Sequence, residues 1–140
     1  MFGQQDLKDR INITRESVEC PVKGCQTIVE RQRKVFVADK RFQCSTHQIF
    51  IGPSTFEYPD ESQNLLWKDG EDLDLLSRIK SVKRESRIAR DNSEDAVTWN
   101  VFRFMEKSGL VKLWLKKMTG TEQGSPELIW WAYSQVEKDR

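Results

Sequence analysis

Residues 20–25 read CPVKGC and residues 42–48 read FQCSTHQ, and these two stretches hold all three cysteines of the chain and its only histidine. Zinc binds four thiolate or imidazole ligands in a tetrahedron, and two short loops that each supply a close pair of ligands satisfy that geometry. The two pairs are Cys20 with Cys25 and Cys44 with His47. Pro21 and Gly24 favour a tight turn between the first two thiols. The sequence therefore predicts a Cys₃His zinc site.

Two alternatives exist for these four residues. They can be small buried cysteines with a core histidine, because cysteine is among the most buried residue types. Polar neighbours such as Lys23, Gln43 and Gln48 argue against a dry core of that kind. They can also include a catalytic Cys–His pair, but nothing nearby singles out one thiol for activation. Since four protein ligands leave no open coordination position, we expect a metal with a folding role.

The composition limits the function classes. The 140 residues are 37% hydrophobic and 32% charged, with a net charge of +1. This is typical of a folded protein, and it gives no overall field that attracts nucleic acid or a membrane. The first residues lack the features of a secretory signal, and no apolar run approaches the length of a membrane span. We expect a cytoplasmic protein with no membrane partner, in which three cysteines do not form a disulfide framework.

The predicted fold class is α+β, with a small zinc-ribbon-like β module followed by a mainly helical unit with one or two strands. Three segments are predicted: a zinc-binding β-hairpin module at 1–58, a connector and long basic helix at 59–92, and a helical or αβ unit at 93–140. Short β-branched or alternating stretches in the first segment, TIV, KVFVA and QIFI, predict strands.

The helical part is predicted from its apolar spacing. One long helix follows an apolar stripe from Leu75 to Ala89, and a second helix begins after a cap at Asn92 or Ser93. The second helix has apolar residues on two sides, which indicates a position between layers. Those residues are Val97, Val101, Phe104 and Met105 on one side and Trp99 and Phe102 on the other. The run LIWWAYS at 128–134 predicts a strand.

Two basic clusters are candidates for nucleic-acid contact. The first lies on the predicted long helix and consists of Lys80, Lys83, Arg84 and Arg87. The second lies on the zinc hairpin and consists of Arg31, Arg33 and Lys34, with Lys40 and Arg41 after it. A basic stripe can follow a phosphate backbone through contacts that do not depend on base sequence. Charge runs on helices are more often solvated surfaces, and that alternative stays open. Phe36 and Phe42 could stack on bases, but packing of the hairpin is the favoured interpretation.

Four stretches, CSTHQIFIGPSTFEY, NLLW, ARDNSEDAVTWNVFRFMEK and LIWWAYSQVE, resemble the front portion of a group of bacterial proteins in the PD-(D/E)XK nuclease superfamily. In that group a Cys/His module precedes a restriction-endonuclease-like core. The resemblance implies that SEDAVTWNVF is the first core helix, whose early glutamate, Glu94, approaches a Mg²⁺ site. The alternative is that Glu94 only complements the helix dipole. The D…(D/E)xK motif of the superfamily is absent from this chain, so its catalytic strands are not present.

Three functions follow in order of preference. The first is a zinc-binding, nucleic-acid-associated protein that resembles the non-catalytic front part of such a nuclease, with DNA favoured over RNA. The second is a zinc-stabilised protein-interaction module or self-associating subunit without nucleic-acid binding. Its candidate anchors are Trp67, Trp114 and Trp130. The third is an active nuclease. This is the one function of the three that would require Mg²⁺ as well as structural Zn²⁺.

Overall fold

The computed structural model of the chain describes residues 1–83, 86–122 and 124–130. In these ranges the chain forms three helices and two small antiparallel sheets of two strands each, which confirms the α+β class. The strands are β1 (Ser17–Glu19), β2 (Ile28–Glu30), β3 (Phe50–Ile51) and β4 (Phe56–Glu57), and the helices are α1 (Gly70–Val82), α2 (Glu94–Lys107) and α3 (Val111–Thr119). No helix in this part of the chain is both long and apolar enough to cross a membrane.

The chain divides into two compact units. The first consists of residues 1–66 and 87–96, and the second of residues 67–86 and the described residues from 97 onward. These bounds differ from the three predicted segments because long-range hydrogen bonds tie later residues to the amino-terminal part. The Asn64 side-chain amide donates to the Ile88 carbonyl at 2.7 Å, and the Tyr58 backbone N–H donates to the Ala89 carbonyl at 2.8 Å.

The first unit has two short hairpins and a small core. β1 pairs with β2 so that Val18 faces Val29, and β3 pairs with β4 so that Ile51 faces Phe56. The core residues are Val18, Cys20, Val22, Cys25, Val29, Cys44, Ile49, Ile51, Phe56 and Tyr58. Three of the ten are the cysteines. Two-stranded hairpins are marginally stable alone, so these thiols lie where a further crosslink has most effect.

The predicted strands in the first unit are only partly formed. TIV contributes to β2 and QIFI to β3, but the strand predicted in KVFVA is wrong. The buried side chain of Gln32 accepts a hydrogen bond from the Val37 backbone N–H, which takes up a donor that a strand would use in its ladder. Phe36 packs edge-on against Phe50, as expected for a residue of the hairpin core, and Val35 and Val37 are exposed.

Helix α1 begins directly after Asp69, whose side chain caps it, and the helix ends earlier than the sequence predicts. The Asp69 carboxylate accepts from the Asp72 backbone N–H at 3.0 Å, and the buried face of the helix carries Leu75, Leu76 and Ile79. The helix ends at Val82. The prediction of one helix extending to Ala89 is wrong, because residues 87–90 form a turn that hydrogen-bonds within the first unit.

Helix α2 begins where the capping signal predicted. The Ser93 hydroxyl accepts from the Ala96 backbone N–H at 3.1 Å, so Ser93 rather than Asn92 is the cap. Trp99 is fully buried, whereas Val97, Val101 and Phe104 are about half exposed. Within the described residues, the structure therefore buries only one of the two predicted apolar sides. The strand predicted at 128–134 falls mostly on residues outside those that the structure describes.

A buried ionic network lies in the second unit. The Arg103 guanidinium, which is 3% exposed, donates to the fully buried Asp72 carboxylate at 2.8 Å. It also pairs with Glu106 at 2.6 Å, and Lys107 reaches Asp69 at 2.8 Å. Burial acts to lower the pKa of Arg103, but the hydrogen bonds that Arg103 donates to Glu106 and Asp72 raise it. This network joins α1 to α2 by charge.

Candidate metal centre

The first ligand loop follows directly from β1. The Cys20 backbone N–H donates to the Thr27 carbonyl at 2.8 Å, which closes the base of the loop. The Cys25 N–H donates to the Val22 carbonyl at 3.1 Å, and Gly24 has a φ of 74°. That left-handed conformation costs glycine little, and it turns the chain so that Cys25 comes back beside Cys20. The predicted tight turn is therefore present.

The second ligand loop is a compact turn before β3. The Cys44 N–H donates to the Ile49 carbonyl at 2.9 Å, and the Gln48 N–H donates to the Cys44 carbonyl at 2.8 Å. Gln48 has a φ of 56°, the one non-glycine residue with a positive φ that the described chain shows. The His47 backbone N–H points at the Cys44 sulfur at 3.5 Å.

The two loops bring the four predicted side chains together. The Sγ atom of Cys25 lies 3.9 Å from that of Cys44, and Nδ1 of His47 lies 3.7 Å from Cys20 Sγ and 3.9 Å from Cys44 Sγ. The four ligand atoms all lie within 4.8 Å of one another. A tetrahedral zinc ion with Zn–S bonds of about 2.3 Å holds its sulfur ligands about 3.8 Å apart. The cluster therefore has the spacing that one such ion requires.

The chemistry of the donors also suits a metal ion. All three cysteines are free and buried, and no sulfur pair is bonded. In the part of the chain that the structure describes, these four residues are the one group of three or more Cys, His, Asp or Glu side chains placed to hold an ion. Three sulfurs and an imidazole nitrogen are the donors that zinc prefers, and calcium or magnesium would need oxygen ligands instead.

The thiols have unequal acidity in the absence of a metal. Burial raises the pKa of Cys20 to about 12, so this thiol is protonated at neutral pH. Burial also acts to raise the pKa of Cys25, but hydrogen bonds from the Thr27 hydroxyl and backbone outweigh it and lower the pKa to about 6. The Cys25 sulfur is therefore the first ligand that an arriving cation is expected to meet, because only thiolates coordinate metals.

Residues from the amino-terminal segment support the cluster. Lys8 donates from Nζ to the Cys25 carbonyl at 2.8 Å and pairs with Glu19 at 3.0 Å. Phe2 packs edge-on against the His47 ring, with 5.4 Å between ring centroids. Sequence reasoning did not identify Lys8, Phe2 or Thr27 in this role. Of these three, only Thr27 could have been identified from the local sequence, because its hydroxyl lies two residues after the ligand Cys25.

The structure separates the predicted basic residues into different settings. Arg31 is half-buried and donates to the Pro53 carbonyl at 2.8 Å, Arg33 pairs with Glu16 at 3.0 Å on the surface, and Lys34 is exposed. In the other cluster, Lys80 is in α1 and Lys83 caps its end, and Arg87 lies beyond the helix. The predicted position on the long helix is therefore wrong for Arg87. Arg84 lies outside the described residues.

Glu94 is the first residue of α2 and is exposed to solvent. It shares the first turn with Asp95, where carboxylates complement the helix dipole. Asp95 accepts a hydrogen bond from the Arg87 backbone N–H at 2.8 Å. Glu94 does not belong to any metal-ligand group among the described residues. Its predicted role at a Mg²⁺ site stays a prediction.

Comparison with known protein families, with curated proteins and with solved structures gives no match to this chain. The centre therefore has to be interpreted from its own geometry.

Proposed function

We propose that Cys20, Cys25, Cys44 and His47 bind one structural Zn²⁺ ion. The observation that carries this proposal is the convergence of three sulfurs and one imidazole nitrogen within 4.8 Å. A bound ion would join the loop after β1 to the loop before β3, and its four protein ligands leave no position for a substrate. The ion would therefore act in folding and not in catalysis.

The size of the first unit supports a folding role for the ion. Its strands are two or three residues long, and its ten-residue core includes the three ligand cysteines. Without the ion, the core would contain three buried thiols, and the two hairpins would be held by few apolar contacts. Small domains of this kind usually need a metal or disulfides for stability.

Replacement of zinc by cobalt tests the ligand set directly. Tetrahedral Co²⁺ with thiolate ligands absorbs visible light far more strongly than octahedral Co²⁺ with oxygen ligands. We expect a strong visible band that saturates at one Co²⁺ per chain and disappears when Zn²⁺ is added. A weak spectrum that does not saturate would contradict a Cys₃His site.

We further propose that the zinc-stabilised unit binds the phosphate backbone of nucleic acid through the segment 33–41. This segment exposes the cationic side chains of Arg33, Lys34, Lys40 and Arg41. The Arg33–Glu16 and Arg41–Asp39 ion pairs are on the surface, where such pairs contribute little, so a phosphate could replace either carboxylate. Arg31 contributes less to this surface, because its guanidinium is half-buried against Pro53.

Fluorescence anisotropy with labelled DNA and RNA at several salt concentrations tests this second proposal. Each lost phosphate contact to a DNA duplex should reduce the slope of log K against log salt by about 0.9. A double variant, Arg33→Gln with Lys34→Gln, should bind all sequences more weakly and with a smaller slope. Lys112→Gln, an exposed lysine of α3, is the matched control. Binding that does not change with salt, or an equal loss in the control, would refute the proposal.

The relationship to the PD-(D/E)XK nucleases remains a proposal that the sequence resemblance carries. If it extends to activity, purified protein with Mg²⁺ should cut DNA, and Glu94→Gln should abolish the cutting. Asp95→Asn, in the same helical turn, is its control. Cleavage that is equal in the Glu94→Gln variant would remove Glu94 from the site.

Self-association is the second candidate function, and the surface of α3 favours it. Leu113, Trp114 and Met118 are 50%, 40% and 70% exposed on this helix, and exposed apolar clusters often mark interfaces. Because α3 also carries Lys112, Lys116 and Lys117 and no acidic residue, salt should strengthen self-association by screening repulsion. Nucleic-acid binding has the opposite dependence on salt. Sedimentation at two salt concentrations, with Trp114→Ala as the variant, therefore distinguishes the two functions.

A further inference from the structure

An open cleft of about 1270 Å³ lies in the first unit. The amino-terminal segment lines it, together with residues 53–56, Asp91 and Asn92. The metal ligands do not line it. Its volume exceeds that of an ordinary small-molecule pocket, which suits an extended chain better than a compact ligand.

Consecutive residues of the amino-terminal segment line the cleft. Four consecutive residues, 11–14, line it, whereas a strand that turned one face towards a cleft would contribute only alternate residues. Burial alternates along the same segment: Ile11 and Ile13 are half-buried and pack against the core, and Arg10, Asn12 and Thr14 are exposed. This alternation is typical of an extended chain.

The main-chain groups of this segment are unused. Among the described residues, the backbone N–H and C=O groups of residues 10–13 have no hydrogen-bond partner, and the Thr14 N–H is taken by the Asn12 side chain at 3.0 Å. An extended segment with free donors and acceptors is a template for another extended chain. Proteins bind peptides in this way by strand addition.

The charged residues that line the cleft determine which side chains a bound peptide should carry. Lys8 forms an ion pair with Glu19 at 3.0 Å, and Lys23 forms an ion pair with Asp9 at 3.8 Å. The Asp91 carboxylate accepts a hydrogen bond from the Thr55 hydroxyl at 3.4 Å, and burial raises the pKa of Asp91. The Arg31 guanidinium has no carboxylate partner among the described residues, and it donates to the Pro53 carbonyl at 2.8 Å. Arg31 is therefore the lining cation that a new carboxylate can contact without displacing another one.

We propose that this cleft binds an extended acidic peptide segment, which pairs with the main chain of residues 10–13 and places a carboxylate against Arg31. Main-chain pairing supplies the affinity, and the Arg31 contact selects an acidic side chain. This function is separate from the proposed zinc and nucleic-acid roles, and the peptide binds the metal-loaded, full-length chain.

Fluorescein-labelled hexapeptides are the probes for this site. The first alternates valine and glutamate, the second has the same sequence with alternate peptide nitrogens methylated, and the third alternates valine and lysine. We expect saturable anisotropy with the first peptide. Methylation removes backbone donors while it keeps the side chains, so the second peptide should bind at least about tenfold more weakly, as should the lysine peptide.

Two variants and one control complete the test. Arg31→Gln should weaken binding of the glutamate peptide about tenfold. Ile11→Pro removes an N–H group that has no partner in the free protein, so it should weaken binding. Because it also shortens a half-buried side chain, circular dichroism checks that the variant is folded. Lys112→Gln is the control, because Lys112 is exposed and does not line the cleft. If Arg31→Gln prevents folding, Ile11→Pro and the methylated peptide still decide the matter.

Three results would overturn the proposal. One is the absence of saturable peptide binding to the folded, zinc-loaded chain. Another is equal binding of the methylated and unmethylated peptides. The third is displacement of the peptide by a labelled thymidine hexanucleotide whose own binding depends on Arg31, which would assign the cleft to single-stranded nucleic acid.

Discussion

The sulfur atoms of Cys25 and Cys44 lie 3.9 Å apart, although the two residues are nineteen positions apart in the sequence. The hairpin β1–β2 and the turn before β3 produce this approach, and Cys20 and His47 complete the cluster. The contact is too long for a disulfide, whose sulfurs are about 2.05 Å apart, and it matches two sulfurs that share one metal ion. Most of the expected behaviour of the first unit follows from this relationship.

Substitution of one ligand should prevent the first unit from folding. Cys44→Ser replaces a zinc thiolate by a poor ligand, and structural zinc contributes on the order of 10 kcal/mol in small zinc domains. That is comparable with the whole stability of a domain. Circular dichroism and thermal unfolding should show lost structure and a lower Tm. The neighbouring Ser45→Ala, which changes an exposed residue that is not a ligand, should behave as the wild type.

The capping residue of α2 provides a test outside the metal centre. The Ser93 hydroxyl accepts from the Ala96 N–H and donates to the Arg87 carbonyl, so one side chain satisfies two backbone groups. Ser93→Ala should destabilise the fold by about 1–2 kcal/mol in urea unfolding. Asn92→Ala, at the other residue that the sequence offered as a cap, should change stability by less than about 0.5 kcal/mol. Equal effects would contradict the assignment of the cap.

The buried pair of Arg103 and Asp72 should be costly to break. Asp72→Ala leaves a guanidinium buried with fewer acceptors, and we expect a loss of about 3–5 kcal/mol. The double variant Asp72→Leu with Arg103→Met should recover much of that loss, because it removes both buried charges. Asp74→Ala breaks the surface pair with Arg78 and should cost at most about 0.5 kcal/mol. A double variant as unstable as Asp72→Ala would argue against this account.

Acid should weaken the second unit through Asp69. A hydrogen bond from Lys107 and one from the Asp72 backbone hold the pKa of Asp69 well below its usual range. Because the folded pKa is below the unfolded value of about 4, the stabilisation is present above pH 4 and is lost as the pH falls below it. Asp69→Asn keeps a capping side chain but not the charge, so its stability should fall less between pH 5 and pH 2.

Thermal unfolding of both proteins across that pH range measures the difference. Asp74→Asn changes a second exposed aspartate near the start of the same helix, and it should retain the wild-type dependence on pH. If the Asp69→Asn protein loses stability as steeply as the wild type, the Lys107 contact does not provide the stabilisation.

Local signals in the sequence predicted the features that depend on neighbouring residues. The ligand pairs, the turn at Gly24 and a cap at Asn92 or Ser93 all involve residues within a few positions of one another. Short-range geometry determines such features, so spacing and residue type are enough to predict them.

Features that depend on distant contacts were not predictable in this way. The early end of α1 results from the turn at 87–90, which hydrogen-bonds to residues far back in the chain such as Asn64. The irregular segment at 34–38 depends on the buried Gln32. Arg103 had a visible signal, a lone cation in an apolar stretch of α2, but its partner Asp72 lies 31 positions away.

Elemental analysis of the purified chain tests the central claim most directly. The protein is dialysed against metal-free buffer without a strong chelator and analysed by plasma mass spectrometry. The account predicts about one zinc ion per chain, released in step with three thiols when an organomercurial titrates the protein. A metal content near zero in a chain that keeps its full circular dichroism spectrum would contradict it.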